Sequence, residues 1–172
     1  MGMIQKNSEW EQKTSVKKGN IGEDIVKRYL ESKGLVCYQP TTEKAHGFDM
    51  LAVKDKRTVI IAEVKAKALM NKWKATGFAQ KNYEEYIYIQ KKHNIPVFIF
   101  FVDEHMGKIY GNTLSELDKE IVVDGETFPK LIQNGKTRIF HFDVMKVIAE
   151  LDNSECERLK RYTQRNYEYR EA

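Results

Sequence analysis

Asp49, Glu63 and Lys65 are the residues whose types and spacing could hold a divalent ion and steady a reacting water or phosphate. They lie in the stretch from His46 to Lys67, HGFDMLAVKDKRTVIIAEVKAK. Two β-prone runs, 48–53 and 59–66, flank the polar segment 54–58, a strand–turn–strand pattern. Strand side chains alternate faces, so Glu63 and Lys65 point the same way. A five-residue loop over 54–58 sets Val53 against Val59 and Asp49 against Glu63. A four-residue loop would slip the register by one and part the two acids by face. The five-residue loop is the expectation, because it gives both acids and the lysine one purpose.

Val59, Ile60, Ile61 and Ala62 are apolar on both faces, as in a central strand covered on both sides. A carboxylate at the end of such a strand resists ionisation unless a cation joins it. Paired carboxylates with room for water suit Mg²⁺, a hard octahedral ion that takes one or two protein carboxylates plus substrate phosphate. Lys65 would then meet the attacking water or the phosphate as charge grows. The ordinary alternative is a surface hairpin whose Glu63 and Lys65 form a weak ion pair.

The elements that must position these groups follow from pattern. Asn20-Ile21-Gly22-Glu23 has the form of a capping box, and Ile21, Ile25, Val26, Tyr29 and Leu30 follow at helical spacing up to Gly34. This predicts a helix at 21–33, with Glu23 either a cap or a third acid reaching the ion through water. Residues 36–39 read as a short strand. His46, in the loop before Asp49, is a candidate substrate contact or a plain loop histidine. A basic loop over 68–78 carries Lys72, Trp73 and Lys74, and could lie along a nucleic-acid backbone with the indole stacked on a base. The next helix, 79–92, puts Gln80, Tyr83, Tyr86, Ile87 and Gln90 on one side, and either DNA orientation or core packing explains that face. The strand 97–102 is the most apolar run. Thr113 caps a short helix, Asp124-Gly125 marks a hairpin, 138–142 is a strand, and Asp143 is expected to cap a helix through 151. The segment 154–172 mixes basic residues and tyrosines and reads as a charged C-terminal helix.

Composition bounds the class. The 172 residues fit one domain with a sizeable core, and 31% charged content is ordinary for a globular chain. No apolar run approaches a membrane span, and the first residues lack a secretory signal core. Cys37 and Cys156 have no metal-like spacing, so both are read as reduced thiols of a cytoplasmic protein. Net charge is only +4, but residues 54–74 hold seven Lys or Arg, Lys67 among them, against two acids. Basic side chains grouped beside a metal site suit phosphate binding.

A helix with Glu23, then Asp49, then Glu63-Val64-Lys65 resembles the PD-(D/E)xK nuclease superfamily, whose signature is an acid opening one strand and E-x-K on the next. Lys18-Gly19 followed by Glu23 is similar to the K-G-x-x-x-E opening of archaeal-type Holliday-junction resolvases. The resemblance spans residues 18–103. It implies Asp49, Glu63 and the carbonyl of Val64 as metal ligands, Lys65 as the residue that positions the water, Glu23 as an aid to metal binding, and Gln80 as a helix residue near the site. Lys18, His46, Lys67, Lys72, Trp73, Lys74 and Tyr83 complete the set as nucleic-acid contacts. Here Phe48, not proline, precedes Asp49, and Gln80 to Tyr83 is one residue short of the Q-x-x-x-Y of the exonuclease branch.

The expectation is an α/β chain with a restriction-endonuclease-like core: a mixed central β-sheet flanked by helices. Residues 1–17 form a polar arm, 18–151 the nuclease-like domain and 152–172 the tail. The expected function is Mg²⁺-dependent hydrolysis of DNA phosphodiester bonds, with Mn²⁺ as a substitute, in a structure-selective or junction-type endonuclease of recombination, repair or defence. A homodimer follows from the resolvase resemblance alone, and RNA is left open as a substrate. The rival readings are a non-catalytic DNA-binding relative and an interaction subunit of a larger nucleic-acid-processing assembly.

Overall fold

The computed structural model describes residues 13–41, 47–70 and 72–163. Helix α1, Thr14–Ser32, opens this part and begins two turns before the expected start. Lys13 occupies the N-cap position without a side-chain cap, and Asn20 to Glu23 lies inside the helix rather than forming a capping box. Packing accounts for the extra turns: Val16 to Gly19 are half-buried, and Lys18 donates from Nζ to Glu104 Oε1 at 2.6 Å. The helix stops as expected at Gly34, whose φ of +83° is left-handed. Gly34 N donates to Glu31 O and Leu35 N to Leu30 O, a Schellman ending.

Strands β1 (Val36–Tyr38), β2 (Met50–Val53) and β3 (Val59–Lys65) follow. Val53 pairs with Val59 and Met50 with Ala62, the register of the five-residue loop. Asp55 holds that loop by accepting from the amides of Arg57 (2.8 Å) and Thr58 (2.9 Å), an Asx turn. The expected basic loop is partly strand: β4, Ala75–Ala79, pairs with a strand sixty residues further on. Gly77 permits this, since a Cβ there would lie 1.9 Å from the carbonyl oxygen of Arg138.

Helix α2 (Gln80–His93) leads to β5 (Val97–Asp103) and β6 (Lys108–Thr113). The short α3 (Leu114–Leu117) is capped by Thr113, as its sequence suggests. A hairpin of β7 (Ile121–Val123) and β8 (Glu126–Phe128) turns at Asp124-Gly125, and β9 (Lys130–Ile132) and β10 (Thr137–His141) follow.

The helix expected from Asp143 is not there. Residues Phe142–Val144 make one 3₁₀ turn, and β11, Lys146–Glu150, pairs along β6. The open edge of β6 supplies backbone partners that outweigh local helix propensity for Val147 and Ile148. The capping box sits one segment later, where Asp152 and Glu155 cap α4, Asn153–Lys160. Leu159 of α4 is fully buried with Ile25, Val26 and Leu30 of α1, so the charged segment enters the core through Leu159.

The main sheet runs β1-β2-β3-β5-β6-β11 and is mixed, because β3 and β5 are parallel while the other neighbours are antiparallel. Helices α1 and α4 cover one face, where Ala62 and Val64 of β3 meet the α1 core. Tyr86 of α2, Leu114 of α3 and Phe78 and Phe140 of a second sheet, β4-β10-β9, pack with Ile61, Ile99 and Phe101 on the other. Among the described residues no helix is long and apolar enough to cross a membrane.

Candidate active site

The site forms at the carboxyl end of β3, beside its parallel neighbour β5, the position at which open α/β sheets bind ligands. Asp49 lies one residue before β2, next to the pair Met50–Ala62. Its Oδ2 accepts the amide of Val64 at 2.7 Å, so the side chain replaces the ladder where the strand ends. This bond brings Asp49 to Glu63.

Glu63 is only 4% exposed. Its Oε1 accepts from Lys65 Nζ at 2.6 Å and from the Tyr86 hydroxyl at 2.5 Å. Lys65 Nζ also lies 3.0 Å from the Tyr86 oxygen, closing a triangle, and stands over the rings of Phe78 and Tyr86. Among the described residues the buried Glu63 Oε2 has no hydrogen-bond partner. A buried carboxylate oxygen without a donor is costly.

Glu23 enters from α1, which approaches closely at Gly22: a Cβ there would sit 3.2 Å from Ala66 Cβ. Burial first, then the charge of Glu63, raises the Glu23 carboxyl, with Lys65 opposing. Asp49 is pushed up to about 7 by burial, then by the charges of Glu63 and Glu23; the Val64 amide and Lys65 pull the other way. Tyr86 is held far above an ordinary phenol by burial and by the Glu63 charge it touches. Three acids thus share a desolvated corner with Lys65 as the hydrogen-bonded cation, and their mutual repulsion opposes ionisation of all three at once. Among the described residues no three His, Cys, Asp or Glu side chains form a ready metal cage. The donor set fits an ion held by two carboxylates and solvent, the habit of Mg²⁺.

Tyr86 is the site residue that the sequence reading does not single out, since core packing explains that helix face equally well. Its signal is faint: a tyrosine at the one fully buried position of α2, with a hydroxyl that must find a partner. The same helix does not bring Gln80 into the triangle. Gln80 donates from Nε2 to Glu84 Oε1 at 3.1 Å, along its own helix.

The expected nucleic-acid contacts divide. Lys67 stays near the site, with Nζ 3.2 Å from the Gly77 carbonyl. Partial desolvation and then the Lys65 charge lower its ammonium. Lys18 is instead an internal ion pair with the buried Glu104, whose Oε1 also accepts from the Thr163 hydroxyl at 2.6 Å. Trp73 packs against Ala75, Phe128 and Ile139, with the ammoniums of Lys72 and Lys130 at 4.6 and 5.3 Å from its ring, so the indole is not presented for base stacking. Lys74 is exposed, and its carbonyl accepts the Phe142 amide. Tyr83 donates to Asp118 Oδ2 at 2.8 Å under the guanidinium of Arg138, and burial with the Asp118 contact pushes its hydroxyl up to about 12. These bonds tie Tyr83 to the α3 side of the molecule. His46 lies outside the described residues.

Alongside Lys65 opens a cavity of about 590 Å³, bounded by the start of α1, the end of β3 and the second sheet.

Neither a protein-family model nor a curated protein matches the chain. A solved structure does: Hjc, a Holliday junction resolvase from the archaeal hyperthermophile Archaeoglobus fulgidus, with a TM-score of 0.51. The two are 12% identical, and the match covers 74% of this chain and 86% of that one. Likeness at that identity is one of architecture. The chain has a restriction-endonuclease-like fold, a mixed central sheet flanked by helices, in the form displayed by the archaeal resolvase.

Proposed function

We propose that this chain is a divalent-metal-dependent nuclease that hydrolyses DNA phosphodiester bonds, an endonuclease of the resolvase-like kind. The observation that carries the reading is Glu63 Oε2, a buried carboxylate oxygen with no donor, beside a second acid that burial and neighbouring charge make reluctant to ionise. The resolvase fold supports it.

Asp49 and Glu63 would hold the Mg²⁺, or Mn²⁺ in its place, with the Val64 carbonyl as a further ligand and Glu23 acting through water. When bound, the ion would supply Lewis-acid stabilisation of charge on the phosphoryl oxygens. Lys65 is poised by its two hydrogen bonds to turn its ammonium to the water or the non-bridging oxygen as negative charge develops. Tyr86 fixes Glu63 Oε1 and so leaves Oε2 as the oxygen without a donor. Lys67, two residues beyond Lys65, would hold a neighbouring phosphate. Symmetric cutting of two strands would need a second copy, and a homodimer belongs to the same reading.

Incubation of purified protein with labelled linear, circular, branched and single-stranded DNA, and with RNA, tests it. Cutting is expected with Mg²⁺ or Mn²⁺, abolished by chelator and by Asp49→Asn, Glu63→Gln or Lys65→Ala. Wild-type cutting by all three variants would end the assignment. Binding without cleavage under every metal would return the non-catalytic reading.

A further inference from the structure

The cavity beside Lys65 has walls of three origins. Ser15 comes from the first turn of α1, Lys65, Lys67 and Met70 from β3 and the residues after it, and Ile139 from the second sheet, with Tyr162 beyond α4 at its side. At about 590 Å³ it equals a cube roughly 8 Å on a side, within the range of sites that enclose one small organic ligand. A paired duplex laid against the rim would keep its bases outside. A single nucleotide could enter.

From this shape and its chemistry we infer that the cavity receives an unpaired nucleotide next to the cut phosphate. The substrate class is therefore DNA with an unpaired strand at the cut, such as a flap, bubble or single strand, rather than uniform duplex. This deepens the nuclease reading above and rests on it. Lys65, at the end of β3, and Lys67, in the tight turn that follows it, both line the cavity. Among the described residues no carboxylate pairs with Lys67, whose contact is the Gly77 carbonyl, so its charge is available to a phosphate. Met70, Ile139 and Tyr162 give the lining apolar surface for a base face, while Thr76, Gln133 and Thr137 set hydroxyl and amide groups among it. Apolar surface interspersed with polar groups that fix orientation suits a small organic ligand.

The wall that closes the cavity is the β4-β10-β9 sheet, which is separate from the six-stranded sheet that presents Glu63 and Lys65. A cleft open on that side would admit both strands.

Fluorescein-labelled oligonucleotides, identical except for full pairing or one unpaired flap, test the inference by anisotropy in chelator, where nothing is cut. Wild-type protein should bind the flapped form about tenfold more tightly, a difference near 1.4 kcal/mol. Ala68→Trp fills the cavity from its lining, and Ser15→Trp does so from an exposed helix position that tolerates the change should the first variant fail to fold. Each should abolish the preference and leave duplex affinity within about twofold. Equal wild-type affinity for both forms, or a folded Ser15→Trp protein that keeps the preference, overturns the cavity assignment. The same oligonucleotides with Mg²⁺ or Mn²⁺ report cutting separately: no cleavage of either form counts against the nuclease reading, while the binding comparison decides the cavity.

Discussion

The Tyr86 hydroxyl stands 2.5 Å from Glu63 Oε1 and 3.0 Å from Lys65 Nζ, so one helix residue ties together the acid and the lysine of a single strand. Without it, Glu63 could rotate and exchange the oxygen that bonds Lys65 for the one that has no donor. Groups that orient a metal's ligands typically contribute 10–100-fold to metal affinity or activity. Tyr86→Phe keeps the ring packing and should lower cutting by about tenfold at limiting Mg²⁺, with much of the loss recovered at saturating Mg²⁺. An unchanged Mg²⁺ dependence would leave Tyr86 a core residue only.

Asp49 makes metal-free stability depend on pH. Its carboxyl is raised from 3.8 to about 7 by burial and by the neighbouring acids, and Glu23 moves the same way. Above 3.8 the unfolded chain gives up a proton that the folded chain keeps, so stability falls as pH rises toward 7 and then levels. Glu104 is shifted the opposite way, because its bonds to Lys18 and Thr163 outweigh the burial that would raise it. Its contribution is lost only as pH falls below 4.5, outside this window. Urea midpoints of chelated protein should therefore decline between about pH 5 and 7.5, by no more than ~1.4 kcal/mol per pH unit for one group. Asp49→Asn should flatten the decline, and Mg²⁺ should restore stability at the alkaline end. A wild-type midpoint that climbs over this range would contradict the burial of Asp49.

Lys18 and Glu104 form an internal ion pair whose acid side chain has no exposure at all. Removing one partner of such a pair leaves the other charged and buried, at a cost of about 3–5 kcal/mol. Lys18→Ala should destabilise by that amount in urea unfolding. Lys18→Met combined with Glu104→Leu should recover most of it, since the replacements are apolar and similar in size. Were Lys18 chiefly a DNA contact, the single variant would unfold at the wild-type midpoint and lose affinity instead.

How much of this was readable in advance depended on distance along the chain. Register at Val53–Val59 was legible because loop length and strand alternation are local, and the Gly34 stop was legible for the same reason. The second sheet was not. Ala75–Ala79 contains Gly77 and two alanines, and its strand state comes from β10. Likewise the residues Lys146–Glu150 read as helix until the edge of β6 is known. The internal partners of Lys18 and Tyr83, Glu104 and Asp118, stand 86 and 35 residues away and so are invisible in the local sequence. Acids at that separation leave no periodic signal near the residue they neutralise. That Asp49 stands beside Glu63 and Lys65 was legible because E-x-K and the facing acid lie within one hairpin.

Lys67 and Trp73 lie close in sequence yet should behave differently toward DNA. Lys67 borders the cavity beside Lys65 with a carbonyl as its partner. A lysine that meets a phosphate releases counterions on binding, so its removal weakens all sequences alike and reduces the salt dependence. Lys67→Ala should lower affinity for every DNA tested, and the slope of log affinity against log salt should shrink by about one. Trp73 is packed under its loop between two ammoniums. Trp73→Phe should leave affinity and salt slope unchanged and cost stability alone, within about 1–3 kcal/mol for a partly buried aromatic made smaller. An affinity loss with Trp73→Phe at unchanged stability would restore the indole as a base-stacking group and place the nucleic acid across the 72–74 loop rather than along β3.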